Sequence, residues 1–206
     1  MIILHHLPRT GGTFLRAQMR THIAPGPEVS FAAGRLVPRL MCDARYRPRV
    51  LVYHCSGPEF QAAYRREDGD FVITFVRDPV DLIYSNFAYM RQRLLRGDAD
   101  PRERGDWAYY ERSVQAHVDD IISGAVSADW LHRDLDGFDF VGVTERMPAS
   151  VAALNAVLGT SLAAGPPLNG AGGDRAYRRA ELALALAGPR RLYQAALGRL
   201  TESSDR

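Results

Sequence analysis

The sequence contains no lysine: all 26 of its basic residues are arginine, in a chain of 206. Any anion site must therefore draw on guanidinium, imidazole or backbone N–H groups. A Walker A loop is excluded too, since GxxxxGK[ST] has no match. Cysteine is nearly absent. Cys42 and Cys55 are too few for a disulfide framework and too far apart for a metal knuckle, so both read as reduced thiols. No apolar run approaches the ~20 residues of a membrane helix. The chain opens on Ile2-Ile3-Leu4 without a basic and then apolar leader, and a cytoplasmic location is the expectation. The net charge is only +2, and no block of consecutive basic residues offers a stripe for a phosphate backbone, so nucleic acid is not an expected partner. No acidic pair or HxxxH spacing suggests a metal site, and none is expected.

What remains is a globular composition, 46% hydrophobic and 24% charged, in a length that fits one domain over residues 1–206. A short apolar run at 1–7 breaks at Pro8 and Gly11-Gly12, and Phe14, Leu15 and Met19 follow at helical spacing. Val50-Leu51-Val52-Tyr53 reads as a second strand ending at His54, with a short helix opening at Pro58. Residues 71–76, rich in β-branched and aromatic side chains, form a third strand ending at Arg77. Asp78 and Pro79 then mark a helix start, as N-cap and first-turn residue, and the helix runs toward Leu94. A charged loop spans 97–105 and a helix surrounds Val118. Residues 138–143 read as a fourth strand, and helices are expected over 151–158, 176–186 and 190–200.

Strands alternating with helices, and apolar on both faces, predict an α/β fold: a P-loop-like, three-layer arrangement with a central parallel sheet flanked by helices. Ligands of such sheets lie beyond the carboxyl ends of the strands. The residues to question are therefore 8–13, His54, Arg77 and Thr144-Glu145. In Pro8-Arg9-Thr10-Gly11-Gly12-Thr13, two glycines and two hydroxyl residues lead into a helix, which makes a phosphate cradle, and Arg9 adds a fixed positive charge. Arg77 leaves a strand and Ser85 lies two turns into the next helix, so both reach one anion only if it lies across the helix's first turns. The plain alternative pairs Arg77 with a carboxylate and leaves Ser85 solvated.

These two segments together resemble those of the PAPS-dependent sulfotransferases, and most closely the heparan and chondroitin (carbohydrate) branch. In that family a Pro-Lys-Thr-Gly-Gly-Thr-like loop binds the 5′-phosphosulfate of 3′-phosphoadenylyl sulfate (PAPS). Residues 8–13, with Phe14 following, are similar to it. The Arg-Asp-Pro at 77–79 with Ser85 resembles the signature that grips the 3′-phosphate, and Phe140-Val141-Gly142-Val143-Thr144-Glu145 resembles a late strand and its turn. The resemblance implies sulfuryl transfer from PAPS to a hydroxyl acceptor, a carbohydrate among the candidates, with no metal required. It departs at Arg9, where the family usually has lysine.

Removing the acceptor's proton calls for a base with a pKa near the working pH. His54 stands at a strand end beside the cradle, and the resemblance gives the base role to a histidine after a comparable strand. Arg9 completes the expected catalytic pair. Glu59 and Glu145 are reserve bases, whereas His5 and His6, inside a predicted strand, read as structural. Tyr84, Phe87, Tyr89 and Met90, the cluster Trp107, Tyr109 and Tyr110, and Arg91, Arg93 and Arg96 could line an acceptor groove. The segment 163–173, with four glycines and two prolines, reads as a mobile loop or lid, and Asn169 and Arg175 in or near it would cover the nucleotide. Two other readings stay open. A P-loop kinase shares the architecture but needs a GKS/T loop and an acidic Mg²⁺ partner, which the sequence does not supply. A non-catalytic nucleotide-binding module has Arg9 as its support.

Overall fold

The computed structural model describes residues 1–23, 28–32, 35–38, 49–98, 110–132, 134–165 and 176–204. Its elements run β1 (Ile2–His5), α1 (Gly12–His22), β2 (Glu28–Ala32), β3 (Arg35–Pro38), β4 (Val50–His54), α2 (Gly57–Ala63), β5 (Phe71–Val76), α3 (Pro79–Leu95), α4 (Val114–Ile122), β6 (Phe140–Val143), a 3-10 turn at Thr144–Arg146, α5 (Met147–Leu158), α6 (Arg179–Ala185) and α7 (Ala187–Ser204). Successive side chains of a strand point to opposite faces of its sheet, and in β1 both Ile3 and Leu4 are fully buried. The strand must therefore be covered on two sides, as parallel strands are. Leu4 joins Val52, Ile73 and Phe75 against Leu15 and Met19 of α1 and Val151 and Leu154 of α5. Ile3 instead packs with Leu51, Val72 and Phe60 of α2.

The sheet has six strands in the order β3-β2-β4-β1-β5-β6. β1 pairs in parallel with β4 and with β5, β4 with β2, and β5 with β6, whereas β2 and β3 are antiparallel. From β1 the chain first moves outward to β2, returns to β4 beside β1, and then crosses to β5 on the other side. This reversal opens a crevice at the carboxyl ends of β1, β4 and β5, where ligands of open α/β sheets bind. The architecture is thus the expected parallel sheet between helical layers. β2 and the antiparallel edge strand β3 add to the four expected strands.

Local chemistry explains the boundaries. Asp78 caps α3 by accepting the N–H groups of Val80 and Asp81 at 2.9 and 3.0 Å, and Pro79 occupies the first helical position. Ser56 and Glu59 form a reciprocal capping box on α2. The last β6 residue, Val143, donates its N–H to the buried Ser150 hydroxyl at 2.8 Å, which ties the strand to α5. α7 covers β6 with Tyr193, Ala196 and Leu200 against Val76 and Val143. Among the described residues no helix is long and apolar enough to cross a membrane.

Candidate functional site

The loop between β1 and α1 turns on two residues with positive φ, Arg9 at 68° and Gly11 at 84°. Gly11, the N-cap of α1, adopts this conformation without a Cβ penalty. Arg9 holds it against its side chain, a strain of order 1 kcal/mol or more that neighbouring contacts must offset. Gly12 answers a different constraint. A Cβ there would stand 1.9 Å from Cδ2 and 2.3 Å from Cγ of His6, whose ring lies against the first turn of α1.

Side chains from two other strand ends stitch the loop in place. Arg77, just after β5, donates from Nη1 to the Arg9 carbonyl at 3.2 Å. Thr144, just after β6, sets its hydroxyl 2.9 Å from both the Thr10 and the Val76 carbonyls. Thr10 is buried and gives its hydroxyl proton to the Leu7 carbonyl at 2.7 Å, so its side chain shapes the loop from within. Gly12 and Thr13 place their N–H groups in the first turn of α1, where a helix has no internal acceptors for them. The side chain of Thr13 is exposed. Phe14 turns away: its N–H meets the Gly11 carbonyl and its ring fills the space beside Gly165.

The guanidinium of Arg9 reaches α3. Nε donates to the Ser85 hydroxyl at 3.1 Å, and Cζ stands 4.7 Å from the centroid of the Tyr89 ring. Burial, and then the charge of Arg77, push the Arg9 pKa down from its ordinary value. Ser85 is completely buried, so it is not a solvated helix residue. Arg77 does face a carboxylate, Glu145, with Nε 3.7 Å from Oε1. Glu145 also accepts the N–H of Asp78 at 3.1 Å, and burial raises its pKa. Glu145 therefore acts as a brace beneath Arg77. Glu59, the other reserve base, is engaged in the cap of α2.

His54 ends β4, is exposed, and places its ring 4.6 Å from that of His6. His6 is buried with Nδ1 unpartnered; burial first, then the charges of His54, Arg16 and Arg9, lower its pKa to about 3. His5 is fully buried, hydrogen-bonded to the Cys55 carbonyl and stacked on Phe60. Cys55 is an inert thiol, with burial raising its pKa to about 12.

The expected acceptor groove needs correction. Tyr84 is buried with its hydroxyl on the Tyr177 carbonyl, and Phe87 is buried and stacked on His117, because α3 is packed against α4 along that face. Tyr89 is exposed and Met90 half-buried. Arg91 and Arg96 are exposed, and Arg93 sets Cζ 6.0 Å from the Tyr89 ring. Tyr110 packs near Phe87 and His117. Trp107, Tyr109, Asn169, Arg175 and Cys42, and the lid from 166 onward, lie outside the described residues. Residues 163–165, the start of the segment expected as a lid, are described: the Ala163 N–H donates to Gln18 of α1 at 3.0 Å, and Gly165 lies against Phe14.

The sequence reads His6 as structural, but its contact with Gly12 in the first turn of α1 escaped that reading. Its signal was the second glycine of the Gly-Gly pair, since φ at Gly11 explains only the first.

No protein-family model matches the chain, and no curated protein matches it in sequence. Among solved structures it is similar to mouse sulfotransferase SULT7A1 complexed with PAP, at 14% identity and a TM-score of 0.44. The match covers 87% of this chain and 62% of the mouse chain, so the chain spans less than two thirds of that structure's length. The architecture described above rests on the strand order itself.

Proposed function

We propose that the chain is a sulfotransferase that binds PAPS at the strand-end crevice and transfers its sulfuryl group to a hydroxyl acceptor. The observation that carries this reading is the convergence of Arg9, Arg77 and Ser85, which are 68 and 76 residues apart, at the mouth of α1. The charge of Arg77 works against that of Arg9, and an anion with several charges relieves that repulsion. The Gly12 and Thr13 N–H groups and Arg9 would hold the 5′-phosphosulfate, with Arg77 on the 3′-phosphate. Ser85, completely buried, serves the site through Arg9, whose Nε–H it accepts.

PAPS supplies an activated sulfuryl group whose S–O bond to the phosphate breaks as a new S–O bond forms to the acceptor oxygen. Such a transfer runs through a loose transition state, so the protein's part is alignment and charge neutralisation. His54 takes the proton released by the hydroxyl. Its exposure on the crevice rim suits a group that must meet an incoming acceptor. Arg9 stays charged throughout, and its guanidinium stabilises the leaving phosphate as lysine would by a point charge. A sugar hydroxyl is the first acceptor class to screen, on the strength of the motif resemblance.

The test is calorimetric binding of 3′,5′-adenosine bisphosphate, against ADP and ATP with Mg²⁺. Arg77→Ala should weaken the bisphosphate roughly ten- to a hundredfold, the loss of a charge-assisted hydrogen bond of ~1.5–3 kcal/mol. His54→Ala should leave that affinity unchanged and abolish turnover of any acceptor found. Preference for ATP with Mg²⁺, or indifference to Arg77→Ala, would sink the sulfotransferase reading. Tight bisphosphate binding without turnover of any hydroxyl would leave a binding module.

A further inference from the structure

On α3, Ser85 and Tyr89 are four residues apart and so lie one turn above the other on the same face. The Arg9 guanidinium bridges them, Nε on the hydroxyl and Cζ 4.7 Å from the ring centroid. An arginine pressed toward a second arginine needs negative potential from somewhere. The π face of Tyr89 supplies it without closing the guanidinium off, whereas a carboxylate at that place would neutralise it. A contact of this kind suits arginine in particular, because a planar guanidinium can lie along a ring face and an ammonium cannot.

We propose that Tyr89 is a positioning residue for Arg9: its ring fixes the guanidinium with Nε on Ser85 and the Nη1–Nη2 edge left for an oxyanion. That edge has the spacing to meet two oxygens of one phosphate or sulfate group. The aromatic ring thereby makes arginine workable in a loop where the resembling family uses lysine. The inference rests on the assignment of Arg9 to the nucleotide cradle.

Calorimetry with 3′,5′-adenosine bisphosphate and nitrogen-15 NMR of the ligand-free protein test it together. Tyr89→Leu should weaken binding about two- to fivefold, the range of a partly exposed cation–π contact. Tyr89→Phe, which keeps the face and loses the hydroxyl, should bind as the wild type does. In an Arg9→Ala background, Tyr89→Leu should have no further effect. The Arg9 Nε–H signal should exchange slowly in the wild type and in Tyr89→Phe, and rapidly in Tyr89→Leu. An undiminished effect of Tyr89→Leu without Arg9, or slow Nε–H exchange in Tyr89→Leu, would overturn the positioning role. If Arg9→Ala itself leaves bisphosphate affinity unchanged, the cradle assignment fails, and the NMR result alone still decides whether Tyr89 restrains Arg9.

Discussion

Moving the protein from pH 7.5 to pH 5 is expected to remove about 6 kcal/mol of folding stability, a large share of what a domain of this size has. The cause is a set of buried imidazoles. His117 and His132 have pKa values lowered to about 4 and His6 to about 3, against 6.5 for the ordinary group, in each case first by burial. The unfolded chain binds protons at these positions that the folded chain refuses. Their contribution is therefore whole above pH ~6.5 and falls as the pH drops below it. For His117 and His132 the decline levels near pH 4, and for His6 near pH 3. At pH 5 each group has lost ~2 kcal/mol, since 1.5 pH units at about 1.4 kcal/mol per unit have been crossed. His5, also lowered well below its ordinary value, acts in the same direction.

The geometry shows why these rings stay neutral. His5 Nε2 must donate to the Cys55 carbonyl; the Thr74 hydroxyl, beside His5 Nδ1, gives its one proton to the His5 carbonyl at 3.3 Å and so accepts from His132 Nε2. That order leaves Nδ1 of His132 as a bare lone pair in the interior, without a hydrogen-bond partner. A proton added there would find no acceptor. Urea titrations at the two pH values measure the effect. Coincident midpoints would mean that the histidines are hydrated in solution and the packing around them is wrong.

Gly12→Ala is the second large effect, expected to cost about 3 kcal/mol through overpacking. The new methyl would overlap the His6 ring, which is itself buried and backed by His54. At this size the loss corresponds to a fall in Tm of about 6–12 °C. His6→Ala in the same chain should restore part of it by clearing the space. If Gly12→Ala melts with the wild type, the contact between His6 and α1 is not as described. A rescue by His6→Ala would show that steric overlap, rather than backbone preference at Gly12, sets the requirement.

The parts of this fold that could be read from sequence are those where local chemistry and global packing agree. β5 is a β-branched and aromatic run, and Asp78-Pro79 is a helix start on capping grounds alone. β2 and β3 are short, and neither Glu28–Ala32 nor Arg35–Pro38 carries a decisive pattern; their pairing is a decision of the sheet. The candidate site divides the same way. Arg9 and Arg77 were legible as residue types just past strand ends, and Ser85 as a residue two turns into the next helix. That Ser85 faces Arg9, and that Phe87 is spent on α4, follows from the rotation of α3 against its neighbours, which no spacing in the sequence specifies.

The shape of the loop after β1 is written largely elsewhere in the chain. Its carbonyls are held by Arg77 and Thr144, and its one strained side chain is received by Ser85. The segment 8–13 is consequently not a portable cassette. Grafted onto another α/β scaffold without its counterparts, it would be an ordinary turn with an unsupported left-handed arginine. Descent could preserve such a loop only by carrying two distant strand ends and one turn of α3 along with it.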